Sequence, residues 1–108
     1  MENVVTISAC TLPTVAQPLR LHEFDSLFAT AVQTVERIGP LSVRLKLVPT
    51  PEVAASTANL LVRETACCSF FRFNLAATAG HLVLDVAVPE PYADVLEALT
   101  SRVEELST

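Results

Sequence analysis

Two adjacent cysteines, Cys67 and Cys68, are the residues of this chain whose types and spacing could do chemistry. Glu64 precedes them by one helical turn, so its carboxylate is within side-chain reach of both thiols. Neighbouring cysteines rarely form a disulfide with each other, because the small ring strains the peptide between them. The pair is instead a soft-donor set, which suits Zn(II), Cu(I) and other thiophilic ions.

A third sulfur would complete a three-coordinate site, and Cys10 is the remaining cysteine among the three in the chain. It lies at the end of the first predicted strand. His22 and His81 are imidazole alternatives, although no spacing pattern favours either one. The sequence therefore predicts a metal site formed by Cys10, Glu64, Cys67 and Cys68. Its ligand would be a soft metal or metalloid ion such as zinc, mercury or arsenite.

The electrostatics of the pair favour a ligand over a nucleophile. Cys67 and Cys68 lie near a predicted helix C-terminus, where the negative end of the macrodipole disfavours thiolate, and an ionised Glu64 acts in the same direction. A bound ion offsets both effects through its own charge. The chain also lacks a Cys-x-x-Cys motif and, with two glycines, a Gly-rich phosphate loop. No catalytic residue is predicted, and a thiol redox enzyme is the least favoured alternative.

Composition limits the remaining function classes. The 108 residues, 51% of them hydrophobic, predict one domain over residues 1–108 with a substantial core. The net charge is −5 and the basic residues are scattered, which argues against nucleic acid as a partner. No run reaches the roughly 18 apolar residues of a membrane span, and no secretory signal is present. An odd cysteine count favours reduced thiols and a cytoplasmic location.

Hydrophobic periodicity predicts the order strand, helix, strand, helix, strand, strand, helix. The predicted elements are a strand at Val4–Cys10, a helix over residues 20–38, a strand from Leu41, a helix from Pro51 to about Cys68, a hairpin of residues 70–77 and 81–88, and a last helix from Pro91. Gly39-Pro40 is expected to stop the first helix, and Thr50 to cap the second. The fold class is α+β, a two-layer sandwich whose mostly antiparallel sheet is covered by helices on one face.

The same periodicity assigns faces. On the second helix the polar side is predicted at Glu52, Ser56, Asn59 and Arg63, and the core side at Ala54, Ala58, Leu61 and Cys68, with Glu64 at the border and Cys67 nearer to solvent. The uncovered sheet face would carry Ser42, Arg44, Lys46, Arg72, Asn74 and Asp85, together with the apolar Phe70 and Val83. Asp85 is expected to form a cross-strand ion pair with Arg44 or Arg72.

The stretch "RETACCSFFRFNL" resembles the Glu-x-x-Cys-Cys-Pro-Phe-Phe-x-Phe signature of a bacterial domain family. "ACTLP" and the following "LHEFDSLF" are similar to the Ala-Cys-Thr-Leu segment and helix of the same family. The resemblance covers nearly the whole chain. It marks as signature positions Cys10, Glu64, Cys67, Cys68, Phe70, Phe71 and Phe73. Ser69 replaces the usual proline, which leaves the helix exit looser. The family occurs alone or attached to MerR-like regulators, which implies a role in a metal or stress response.

Two functions of different classes follow. The first is a small soluble binding or sensing domain whose cysteine cluster captures a soft ion. The second is a structural or protein-interaction module with inert core cysteines. Its polar sheet face, or the edge of its first strand, would pair with a second copy or with a regulator protein.

Overall fold

The computed structural model describes residues 17–107, apart from the side chains of residues 17–22 and of Cys67. Helix α1 (Gln17–Ala31) runs directly into strand β1 (Val32–Gly39), which turns into β2 (Ser42–Leu47). Helix α2 (Pro51–Cys67) precedes β3 (Arg72–Thr78) and β4 (His81–Ala87). A 3-10 turn at Glu90–Tyr92 then leads into helix α3 (Ala93–Ser107). The predicted strand Val4–Cys10 lies outside the described residues.

The described strands form a four-stranded antiparallel sheet in the order β1-β2-β4-β3. Alternate side chains of the central strands are buried beneath the helices: Val43, Leu45, Leu47, Leu82, Leu84 and Val86. Helix α3 lies against β1 and β2, α2 lies against β3, and α1 contacts both other helices. The predicted α+β sandwich, with helices on one face of the sheet, is confirmed.

The predicted helix over residues 20–38 is wrong in its second half, because α1 ends at Ala31 and the chain continues as β1. Val35 and Ile38 fit a helical spacing, but this segment is also rich in β-branched residues, which favour strands. Gly39-Pro40 does not stop a helix; it lies at the turn that folds β1 back onto β2. The hairpin pairs Val35 with Leu45 and Glu36 with Arg44.

Helix α2 and the second hairpin lie where the sequence placed them. The Thr50 hydroxyl caps α2 by accepting a hydrogen bond from the Val53 amide at 3.2 Å, and Pro51 occupies the first turn. Ala79 and Gly80 both adopt positive φ, 53° and 80°, in the two-residue turn between β3 and β4. Such a turn matches the right-handed twist of the strands that it joins.

Two predicted orientations are wrong. Phe70 was expected on the uncovered sheet face, but it precedes β3 and is buried, with its ring stacked on Tyr92 at 4.1 Å between centroids. Ala58 was expected to face the core, but it is exposed because Thr57, Leu60 and Leu61 occupy the buried side of α2. The polar side of α2 is exposed as predicted.

Ion pairs join α3 to its neighbours. Arg102 donates two hydrogen bonds to the Asp25 carboxylate on α1, at 2.7 and 2.5 Å. Arg37 on β1 contacts Glu97 at 2.5 Å and Glu104 at 2.9 Å. The hydrogen bond from Arg37 holds the pKa of Glu97 below its ordinary value. These contacts lie at the surface around the core and join α3 to α1 and to β1.

Replacing Thr57 by valine should stabilise the protein. Thr57 is 0% exposed, and its hydroxyl has no hydrogen-bond partner among the described residues. A buried unsatisfied hydroxyl costs free energy, so Thr57→Val should raise the free energy of unfolding by about 1 kcal/mol in urea titrations. Thr100→Val is the matched control, because the buried Thr100 hydroxyl donates to the Leu96 carbonyl at 2.8 Å. Equal effects of the two substitutions would contradict the assignment.

Acid should weaken the ion pair between Arg37 on β1 and Glu97 on α3. Because the pKa of Glu97 is lowered in the folded chain, its contribution is present above the ordinary glutamate pKa and is lost as the pH falls through the lowered value. The free energy of unfolding should therefore fall less steeply from about pH 5 to about pH 3 in Arg37→Gln than in the unchanged chain. Identical slopes in urea titrations would show that this ion pair does not contribute.

Candidate functional site

Cys68 and Glu64 lie together at the end of α2. Cys68 is 0% exposed and Glu64 is 7% exposed, so the carboxylate predicted at the border is buried. The Cys68 amide donates to the Glu64 carbonyl at 2.6 Å, which closes the last turn of the helix. This turn places the two side chains on neighbouring positions of one face. A thiol and a carboxyl group, two of the predicted ligands, therefore share one interior corner.

Aromatic rings form the apolar surroundings of this corner. Phe70 and Phe71 are both buried, and their ring centroids are 4.6 Å apart. The ring centroids of Phe71 and Phe73 are 5.2 Å apart. Tyr92, from the 3-10 turn before α3, covers Phe70. Cys68 belongs to the same continuous core. The end of α2 is thus a packed, water-poor environment, in which charges interact more strongly than they do in water.

The remaining predicted ligands are not placed with the same detail. Cys67 is the last residue of α2, and its side chain lies outside the description; so do Cys10 and the side chain of His22. Within residues 17–107, no group of three or more potential metal ligands is found. His81 is exposed at the turn between β3 and β4, about 20 Å along β3 from the thiol end. That distance removes His81 from the candidate ligands.

Antiparallel packing of α1 and α2 determines which chain ends meet. Arg63, near the end of α2, contacts Glu23 in the first half of α1 at 2.9 Å. At the other end, the Val48 amide donates a hydrogen bond of 2.8 Å to the Ala31 carbonyl. Val48 lies just before α2, and Ala31 is the last residue of α1. Gln17 lies about 9 Å beyond Glu23 along its axis, and Cys67 about 6 Å beyond Arg63. Helix α1 therefore begins near the end of α2.

A groove of about 660 Å³ separates α1 from α2 on the outer side of the helical layer. Buried Leu27, Ala31 and Leu60 lie beneath it, and Arg63 borders it at the thiol end. Arg63 is held there by Glu23 and by the Asn59 side chain, at 2.9 and 2.8 Å. The residues that line this groove include no cysteine or histidine. The groove is therefore distinct from the thiol corner.

The sequence interpretation missed the burial of Thr57, the depth of Glu64 and the position of Tyr92 over Phe70. Thr57, Leu61, Glu64 and Cys68 form one buried stripe along α2. A strict helical wheel centred on Leu61 and Cys68 would have found this stripe, because the four residues fall within about 60° of one another at 100° per residue. No sequence pattern predicts that Tyr92 stacks on Phe70, because this contact depends on how the chain enters α3.

Comparison with protein-family models, with curated proteins and with solved structures finds no match for this chain. Between residues 17 and 107, no helix combines the length and apolar composition that a bilayer span requires.

The Cys68 thiol should react slowly in the absence of metal. In a Cys10→Ser/Cys67→Ser variant, Cys68 is the remaining thiol, and its full burial requires local opening before a reagent reaches it. Its reaction with a chromogenic disulfide reagent at neutral pH should be at least about a hundredfold slower than in denaturant. Labelling at the denatured rate would show that the corner is open to solvent.

Proposed function

We propose that this chain is a cytoplasmic bacterial binding and sensing domain that captures one soft metal or metalloid ion. Cys67 and Cys68 would supply the principal ligands, with Cys10 as the third sulfur and Glu64 beside them. The observation that carries the proposal is the burial of both Glu64 and Cys68, one helical turn apart at the end of α2, with a second cysteine next to Cys68 in the chain.

Chain geometry supports the participation of Cys10. Cys10 precedes Gln17 by seven residues, which can span at most about 25 Å. Gln17 starts the helix whose first half lies against the last turns of α2. This length of chain allows the Cys10 sulfur to reach the end of α2.

Burial favours ions whose complexes are neutral. Two thiolates neutralise Hg(II), and three neutralise a trivalent arsenic centre, whereas three thiolates on Zn(II) leave a charge of −1. Placing a net charge in an apolar corner costs free energy, and the nearby Glu64 carboxylate adds to that cost when ionised. Mercury or arsenite should therefore bind more tightly than zinc.

Native mass spectrometry of the reduced chain after separate additions of mercury(II), arsenite and zinc tests this function. One ion per chain is expected, with a mass deficit that reports the lost thiol protons. Cys67→Ser and Cys68→Ser should each greatly weaken the uptake of arsenite, because a trivalent arsenic centre coordinated entirely by thiolates needs all three sulfurs.

His81→Ala is the matched control, because it removes an exposed imidazole far from the corner and should leave uptake unchanged. Cys68→Ala accompanies the serine variant, because a serine hydroxyl in the core could itself destabilise the fold. Urea titration verifies that each variant is folded. Unchanged arsenite and mercury uptake in folded Cys67 and Cys68 variants would overturn the proposal.

A further inference from the structure

The face of the sheet opposite the helices forms a continuous surface, which we call the open sheet face. Its members alternate with the buried core residues of the four strands: Thr34, Glu36, Ser42, Arg44, Lys46, Arg72, Asn74, Ala76, Val83, Asp85 and Ala87. All of them are exposed or half-buried. In the part of the chain that the structure describes, the three helices pack on the other side.

The dimensions of the open sheet face suit a small protein interface. Four strands about 4.8 Å apart and six residues long give a projected area on the order of 400 Å². Short side chains on the central strands, Ser42, Val83 and Ala87, keep much of this area flat. Two such sheets can pack face to face at about 10 Å. An interface of this size is smaller than a stable specific interface and is expected to give weak, reversible association.

The charges at the centre of the face are self-complementary. Arg44 on β2 and Asp85 on β4 are directly opposite each other in the register, and Arg44 Nε lies 2.8 Å from Asp85 Oδ1. β2 and β4 are the two central strands. A twofold axis parallel to the strands and midway between them would place β2 of one copy over β4 of the other. Each Arg44 would then face the Asp85 of its partner.

The neighbouring rows are compatible with the same axis. Lys46 pairs with Val83 and Ser42 with Ala87 in the register, so each would face the short side chain of its opposite strand. Glu36 on β1 would face the row of Asn74 on β3. An axis perpendicular to the strands would instead stack Arg44 on Arg44 and Asp85 on Asp85, which is repulsive. The charge pattern therefore selects one of the two arrangements.

We propose that two copies of this chain associate through the open sheet face, with the twofold axis parallel to the strands between β2 and β4. This is an isologous interface, in which one surface meets its own copy. It contains no cysteine and is independent of the thiol site. Because Arg44 and Asp85 already pair within each chain, the dimer would share four alternating charges at its centre.

Sedimentation equilibrium over about two decades of protein concentration measures the association. The unchanged chain should form a reversible dimer. Arg44→Asp and Asp85→Arg should each raise the dissociation constant at least about tenfold, because like charges then face one another across the axis. The double variant Arg44→Asp/Asp85→Arg restores both pairings, and its dissociation constant should return to within about threefold of the original.

Arg102→Asp is the matched control. It reverses a cation with similar exposure, 45% against 49% for Arg44, in an ion pair on the helical side. It should leave the dissociation constant unchanged. Each variant loses a surface ion pair worth at most about 1 kcal/mol, so all should remain folded, as urea titration can verify.

Three results would overturn the proposal. If the chain stays monomeric at every concentration, the open sheet face is not a dimer interface and would instead contact another protein or another segment of this chain. A dimer weakened equally by Arg102→Asp would show a general charge effect. A dimer insensitive to the single reversals at Arg44 and Asp85 would place the interface elsewhere.

Discussion

Burial of one face of the two central strands is the constraint on which the rest of the structure depends. Leu45 and Leu47 on β2 and Leu84 and Val86 on β4 are each at most 2% exposed, and Leu82 on β4 is 4% exposed. Because side chains alternate along a strand, a shift of one residue would bring the charged Arg44 and Asp85 into the core. The apolar pattern thus fixes the register, the side on which the helices pack and the residues left for the opposite surface.

Helix α2 extends the buried core from the sheet to Glu64 and Cys68. Its buried stripe continues from Thr57 through Leu61 to Glu64 and Cys68, so the helix brings polar groups into the interior as it approaches its end. Packing alone would favour apolar residues at such positions. A carboxyl group and a thiol in this environment are the structural basis of the proposed ion site. The aromatic residues that follow belong to the same core or pack against it.

Most of the sheet could be predicted from the sequence, because the alternation of apolar and polar residues that defines each strand lies within the strand itself. The alternation in β2 and β4 and the cap at Thr50 each have one physical interpretation. The segment Val32–Gly39 had two, since its apolar residues fit a helix and a strand, and pairing with β2 decided between them. Burial of Phe70 could not be predicted, because it depends on contact with Tyr92, 22 positions later in the chain. The sequence predicted that Glu64 and Cys68 lie close together on α2. It did not predict that Glu64 is buried, because this burial depends on how α2 is rotated against the sheet.

The order helix, strand, strand occurs twice in succession, as α1-β1-β2 and as α2-β3-β4. With the strands arranged as β1-β2-β4-β3, each unit contributes one central and one edge strand, and the two central strands pair antiparallel. Each unit alone would expose the inner edge of its hairpin together with half of an unfinished core. Neither half is therefore expected to fold without the other. The two units join where β2 pairs with β4, for example at Arg44 and Asp85, which are 41 positions apart in the chain. Because this long-range pairing completes both the sheet and the core, we expect the two units to fold together.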